Sequence, residues 1–163
     1  MSRNVLHCGE EWGKVATVQR SLLVGEYEFT LDAKNRIAIP ARLRPFFAEG
    51  IYITTWYERS LGGFAPEEFR KELDARTGAE WSRSKEGRAE RRLLAGSAVF
   101  QELDGQGRVA LPPRHIVYAS IGREVAIVGV DDHIEFWDRA AWVAYRETNE
   151  EGADATPDEL ASS

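Results

Sequence analysis

One cysteine, Cys8, occurs in the 163 residues, so no internal disulfide framework can form, and a lone thiol suits a reducing cytosol. Long apolar runs are also missing. The longest, Val125–Val130, has the length of a strand and falls far short of the roughly 20 residues that a membrane-spanning helix needs. No extended apolar stretch precedes Glu10 and Glu11, which predicts that the chain carries no secretory signal. Histidine is sparse. His7, His115 and His133 lie far apart, without partners at metal-ligand spacing, and Asp131-Asp132-His133 reads as a hairpin turn rather than a metal site. No Gly-x-Ser-x-Gly elbow, phosphate loop or His-Glu-x-x-His is present. The expectation is a protein that is not an enzyme, with no cofactor, no metal, no small-molecule substrate and no membrane contact.

Basic residues are absent beyond Arg146, where Glu147, Glu150, Glu151, Asp154, Asp158 and Glu159 carry the whole net charge of −6. The rest of the chain is neutral in total but uneven. Lys34, Arg36, Arg42 and Arg44 face only Asp32 between Leu31 and Arg44, a local charge of +3. A second excess of +3 lies between Arg83 and Arg92, where five bases meet Glu86 and Glu90. The second cluster reads first as a solvated helix face, with subunit or phosphate contact as its functional alternative. A small basic face on a neutral body is compatible with nucleic acid. A composition of 43% hydrophobic and 29% charged residues belongs to a globular domain able to bury a core unaided.

What the chain does contain is a repeat. Leu31-Asp32-Ala33-Lys34-Asn35-Arg36-Ile37-Ala38-Ile39-Pro40-Ala41-Arg42 lies over Leu103-Asp104-Gly105-Gln106-Gly107-Arg108-Val109-Ala110-Leu111-Pro112-Pro113-Arg114 at an offset of 72. Leu, Asp, Arg, Ala, Pro and Arg are identical at their positions, and Ile37/Val109 and Ile39/Leu111 keep the alternation. Each unit predicts a strand (Glu26–Leu31; Ala98–Leu103), a tight turn and a short strand (Arg36–Ile39; Arg108–Leu111). Asn35 and Gly107 close the turns and are the residue types that most readily take positive φ. Pro40 and Pro112 follow where a helix could start. Strands at Ile51–Tyr57 and Glu124–Val130 come next, the second apolar on both faces and therefore central. Further strands end at Phe64 and at Phe136-Trp137. Helices follow from Pro66 and from Asp138, an N-cap type, with Phe69/Leu73 and Trp142/Tyr145 as inward stripes. A basic helix over Ser84–Ala95, weakened by Gly87, links the units. The tryptophans at 12, 56, 81, 137 and 142 read as core or interface anchors.

An Asp-x-x-x-Arg turn has an ordinary reading: the Asp orders its own turn and the Arg supplies hairpin polarity. Its functional reading is that Arg36 and Arg108 project outward, with Asp32 and Asp104 orienting the loops. Arginine suits bidentate contact with guanine edges and phosphates. Lys34, Arg42, Arg44 and Arg114 then hold backbone phosphates beside the turns, so that Arg44→Ala would weaken all sequences alike and lower the salt slope. Repetition favours this reading, because the fold explains matched Leu, Pro and Ala more readily than matched exposed Arg.

The run Gly25–Arg44, together with Leu103–Pro113 and Val128–Asp138, resembles the two halves of the MraZ family over about residues 24–147. That family resembles AbrB-type bacterial DNA-binding proteins, with two units fused in one chain. The resemblance implies a mainly β fold with several helices, a swapped-hairpin (double-split) β-barrel built from two tandem pseudo-symmetric units. It implies a sequence-specific transcriptional regulator, a repressor of the division and cell-wall gene cluster, acting on short repeats upstream of its own gene. It also implies double-stranded DNA as partner, a ring-like homo-oligomer, and a cytoplasmic, nucleoid-associated location. Asp32 and Arg36, and Asp104 and Arg108, occupy the family's signature, and Arg44 falls where the wider AbrB-like pattern keeps a DNA-facing arginine. Asn35 departs from the family's more usual glycine.

The expected organisation is an extension over residues 1–23, a first unit over 24–80, a linking basic helix over 81–96, a second unit over 97–147 and an acidic disordered tail over 148–163. The extension precedes the family's usual start, which a genuine arm or an upstream start codon would explain equally. The rival reading is an AbrB-like antitoxin or protein-interaction module using the acidic tail; such antitoxins carry one motif copy, whereas this chain carries two.

Overall fold

The computed structural model describes residues 22–153. Unit one supplies β1 (Leu23–Thr30), β2 (Arg36–Ala38), β3 (Ile51–Thr55), β4 (Leu61–Phe64) and helix α1 (Pro66–Ala75). Helices α2 (Ala79–Arg83) and α3 (Lys85–Ser97) lead into unit two, which supplies β5 (Val99–Gln101), β6 (Arg108–Ala110), α4 (Pro113–Tyr118), β7 (Glu124–Asp131), β8 (Ile134–Asp138) and α5 (Arg139–Ala153).

The two units do not form separate sheets. A six-stranded antiparallel sheet runs in the order β1-β7-β8-β4-β3-β5, and β2 pairs with β6 in a two-stranded ribbon. Unit one's first strand thus lies on unit two's β7, and unit two's first strand lies on unit one's β3. This reciprocal exchange is the swapped-hairpin arrangement. β7 is interior to the sheet, between β1 and β8, as its doubly apolar pattern requires. In the ribbon Ile37 faces Val109, its own equivalent at the repeat offset, so the pseudo-two-fold axis passes through this pair.

The main core joins both layers. Ile37, Ile39, Val109 and Leu111 from the ribbon segments pack with Ile51, Ile53, Leu61, Ile127, Ile134 and Phe136 from the sheet. Phe64, Phe69 and Leu94 form a second cluster under α1 and α3, and Ala126, Val128 and Trp137 form a third, with Trp142 of α5 packed on it. The N-cap role of Asp138 is realised, since its Oδ2 accepts from the Ala141 amide at 3.3 Å. Arg146 and Arg139 of α5 reach back to Glu26 (2.7 Å) and Glu28 (3.0 Å) on β1, fastening unit two's helix to unit one's strand.

Three local features differ from expectation. After Pro40 the chain forms only a 3-10 turn, Arg44–Phe47, because Pro45 has no amide to extend an α-helix, whereas Pro112 leads into α4. Helix α5 continues to Ala153, six residues into the 148–163 span expected to be tail; residues 1–21 of the expected 1–23 extension and residues 154–163 of that tail lie outside the described residues. Gly87 is not merely tolerated in α3. A Cβ there would overlap the Trp81 carbonyl oxygen and stand 2.7 Å from Ser84 Oγ, so the turn between α2 and α3 needs a glycine. Ser84 caps α3, accepting from the Gly87 amide at 2.9 Å.

The ribbon's position over the core makes its apolar pair critical. Ile37 is fully buried, and Ile37→Ala is expected to cost about 2–5 kcal/mol of stability, read from urea unfolding. A loss under about 1 kcal/mol would show that the ribbon is not anchored through this pair.

Candidate nucleic-acid interface

Each Asp-x-x-x-Arg turn is built by its aspartate. Asp32 Oδ1 accepts from the amides of Lys34 (2.8 Å) and Arg36 (2.9 Å), while its Oδ2 takes Arg36 Nε at 2.7 Å. The backbone closes on the same residue, with Asp32 N donating to Arg36 O and Asn35 N donating to Asp32 O. Turn two repeats the set: Asp104 Oδ1 accepts from Gln106 and Arg108 amides, and Oδ2 takes Arg108 Nε, all at 2.9 Å. Asn35 (φ 58°) and Gly107 (φ 73°) both occupy the left-handed region, so asparagine keeps the turn as its residue type allows.

The exchange of hairpins sets the two turns side by side. Ile39 N donates to Gly107 O and Leu111 N donates to Asn35 O, each 2.8 Å and each across the unit boundary. Arg108 Nη1 also reaches Asp32 Oδ2 at 3.5 Å, so Asp32 serves both arginines. Fixing a guanidinium through Nε leaves its terminal nitrogens to act elsewhere. Among the described residues, both terminal nitrogens of Arg36 are without an internal hydrogen bond, whereas Arg108 commits one of its two to Asp32.

The carboxylates are held charged. The Arg36 backbone amide is the largest influence on Asp32; burial opposes it, and with the Arg36 side chain and Lys34 amide the net effect lowers the carboxyl to about 2 from 3.8. Asp104 is lowered too, first by the Arg108 amide. A depressed carboxylate pKa contributes stability above the unfolded value and loses it as pH falls through the folded one. The turns are therefore expected to stay ordered down to about pH 4 and to loosen between about 4 and 2, read by carboxyl chemical shifts of Asp32. Titration of Asp32 near 3.8 would contradict this arrangement.

The remaining basic residues divide. The side chains of Lys34 and Arg42 are exposed and, among the described residues, make no internal hydrogen bond or ion pair. Arg44 donates through Nε to Ile39 O at 2.8 Å. Arg114 donates to the carbonyls of Gly96 (3.4 Å) and Ser97 (3.1 Å), at the C-terminal end of α3, where a cation is favoured. Arg91 and Arg92 of α3 are exposed. Gln106 occupies the place of Lys34 in the second turn, a difference readable from the repeat offset. Turn one is thus the more basic.

Other polar centres lie apart from the turns. Arg76, 8% exposed, is held by Glu72, Glu90 and Tyr57 and lies over the Trp56 ring. It lines a groove of about 720 Å³ with Tyr57, Leu93 and Tyr118, which includes none of the turn residues. His133 is stacked on Phe64, its nitrogens facing Asp132 Oδ1 at 2.6 Å and Glu135 Oε1 at 3.3 Å. Burial disfavours its charged form, but the two carboxylates outweigh that and raise its pKa. No group of three or more His, Cys, Asp or Glu is placed to hold a metal ion among the described residues, and no described helix is long and apolar enough to cross a membrane.

Interlocked hairpins presenting paired Asp-x-x-x-Arg turns define a swapped-hairpin protein of two tandem units on a single chain. The family described as "MraZ protein, putative antitoxin-like" matches residues 22–92 and 94–162, one match for each unit. The chain is 41% identical over 130 residues to the transcriptional regulator MraZ of Corynebacterium diphtheriae, covering 79% of this chain and 90% of that one. It is 39% identical over 140 residues to the corresponding regulator of Corynebacterium glutamicum strain R (85% and 96%). A Mycobacterium regulator of strain KMS is 38% identical over 139 residues (85% and 96%). The chain belongs to the MraZ family.

Proposed function

We propose that this protein is a sequence-specific DNA-binding transcriptional regulator that reads short repeats through its paired arginine turns. The observation that carries the reading is the side-by-side placement of two turns whose arginines are oriented through Nε by carboxylates, leaving both terminal nitrogens of Arg36 without an internal partner among the described residues. A guanidinium so fixed offers the fork that suits a guanine edge. Lys34 and Arg42, exposed beside turn one, supply phosphate contacts. Relatives named as transcriptional regulators support the class. The finer reading is of a repressor of the division and cell-wall cluster, bound upstream of its own gene, working in the cytoplasm at the nucleoid as a ring-like homo-oligomer.

The test is binding to the DNA upstream of the protein's own gene, against a scrambled duplex of equal length, at two salt concentrations. Preference for the upstream duplex, with affinity falling steeply as salt rises, supports the reading. Equal affinity for both, or no binding, refutes it.

A further inference from the structure

The two turns share one hydrogen-bond pattern, yet one closes with asparagine and the other with glycine. Positive φ does not explain the difference, because Asn35 holds φ 58° with a side chain attached. Space does. A Cβ on Gly107 would overlap Arg44 Nε and stand 2.6 Å from its Cζ and 2.7 Å from its Cδ, closer than real Cβ atoms approach. The Arg44 side chain therefore lies directly against the backbone of the second turn while its Nε is tied to Ile39 O at 2.8 Å in the first unit. At the repeat offset the counterpart of Arg44 is Ile116, an apolar side chain packed against the main core. The contact is thus one-sided, and it departs from the pseudo-symmetry in the same direction as the Asn/Gly exchange.

From this we infer that Arg44 is a positioning residue: it braces the second turn from the first unit, and Gly107 is glycine to admit it. Arg44 bridges the same two segments as the Ile39–Gly107 backbone hydrogen bond, since its Nε rests on Ile39 O and its stem on Gly107. Its effect on DNA binding runs through the placing of Arg108 and not through neutralisation of a phosphate. This replaces the expectation that Arg44→Ala lowers the salt slope. The part concerning DNA rests on the proposed function; the brace itself does not.

The experiment compares the full-length protein with Arg44→Ala, Arg44→Lys, Gly107→Asn and the Arg44→Ala/Gly107→Asn double variant. Asparagine keeps the left-handed backbone, as it does at Asn35, and adds the side chain. Melting temperature reads the brace without DNA. Gly107→Asn is expected to lower it by roughly 3–6 °C when Arg44 is present and by about 1 °C or less when it is absent. Binding to the upstream duplex reads the consequence. Arg44→Ala and Gly107→Asn each weaken it by roughly 5- to 30-fold, and the double variant is no worse than the poorer single variant. The salt slope stays at the wild-type value, and Arg44→Lys, which has charge but no Nε fork, fails to restore affinity. Equal penalties for Gly107→Asn in both backgrounds overturn the brace. So does a slope reduced by about 0.9 in Arg44→Ala together with rescue by lysine, the signature of a lost phosphate contact. A wild-type protein that ignores the upstream duplex removes the proposed function, while the melting comparison still decides the brace.

Discussion

Arg36→Ala is expected to weaken binding to the target duplex by about 1–3 kcal/mol per engaged subunit and to reduce discrimination between target and scrambled DNA. The magnitude follows from what the side chain offers. Its Nε is held by Asp32 at 2.7 Å, which sets the plane of the guanidinium, and its two terminal nitrogens are left for a bidentate contact. Arg108 commits Nη1 to Asp32 at 3.5 Å as well as Nε to Asp104, so the same substitution there is expected to cost less. Competition titrations with fluorescent duplexes measure both variants. Wild-type affinity in Arg36→Ala would remove turn one from the interface, and a larger effect at Arg108 would reverse the order argued from the hydrogen bonds.

A second large effect concerns spacing. One chain presents two arginine turns and a few neighbouring bases, too little for tight specific binding at physiological salt. On the proposed function, several subunits placed on successive repeats would supply the rest, because linked sites raise apparent affinity by about 10²–10⁴ without new contacts. Subunits meeting one face of the duplex read repeats about 10 bp apart. Inserting about 5 bp between two repeats is therefore expected to lose most of that gain, and inserting a full turn of about 10 bp to lose less. Affinity against spacer length, with light scattering on the same samples, gives the answer. A monomer in solution, or indifference to the half-turn insertion, contradicts the multivalent account.

Much of the geometry of the two turns was legible because the repeat aligned it. Asp32 with Arg36 and Asp104 with Arg108 are four residues apart, so their turns close locally and their chemistry shows in the order of residues. Strand identities were legible for the same reason, and β7's interior place followed from its apolar faces. Contacts that cross the unit boundary were not. Arg108 meets Asp32 across 76 positions, and the exchange of hairpins was implied by the family resemblance, not by either local pattern. Nothing in the sequence shows that part of the Arg44 and Arg114 guanidinium groups is engaged inside the protein. Their partners are backbone carbonyls, which leave no mark in a sequence: Ile39 O for Arg44, and Gly96 O and Ser97 O for Arg114. The extent of α5 was hidden differently. Apolar periodicity fades after Tyr145, yet Glu, Asn and Ala continue the helix on an exposed face without a stripe to reveal it.

On the proposed function, discrimination lies in the paired turns and not in basic surface generally. Its most direct measurement is the ratio of target to scrambled affinity in an Arg36→Ala/Arg108→Ala variant, set beside Arg91→Ala/Arg92→Ala on the exposed face of α3. Both variants remove two positive charges, so a nonspecific electrostatic loss is common to them. The ratio is expected to collapse toward one in the turn variant and to stay near wild type in the helix variant. A preserved ratio in the turn variant, with collapse in the helix variant, would contradict this.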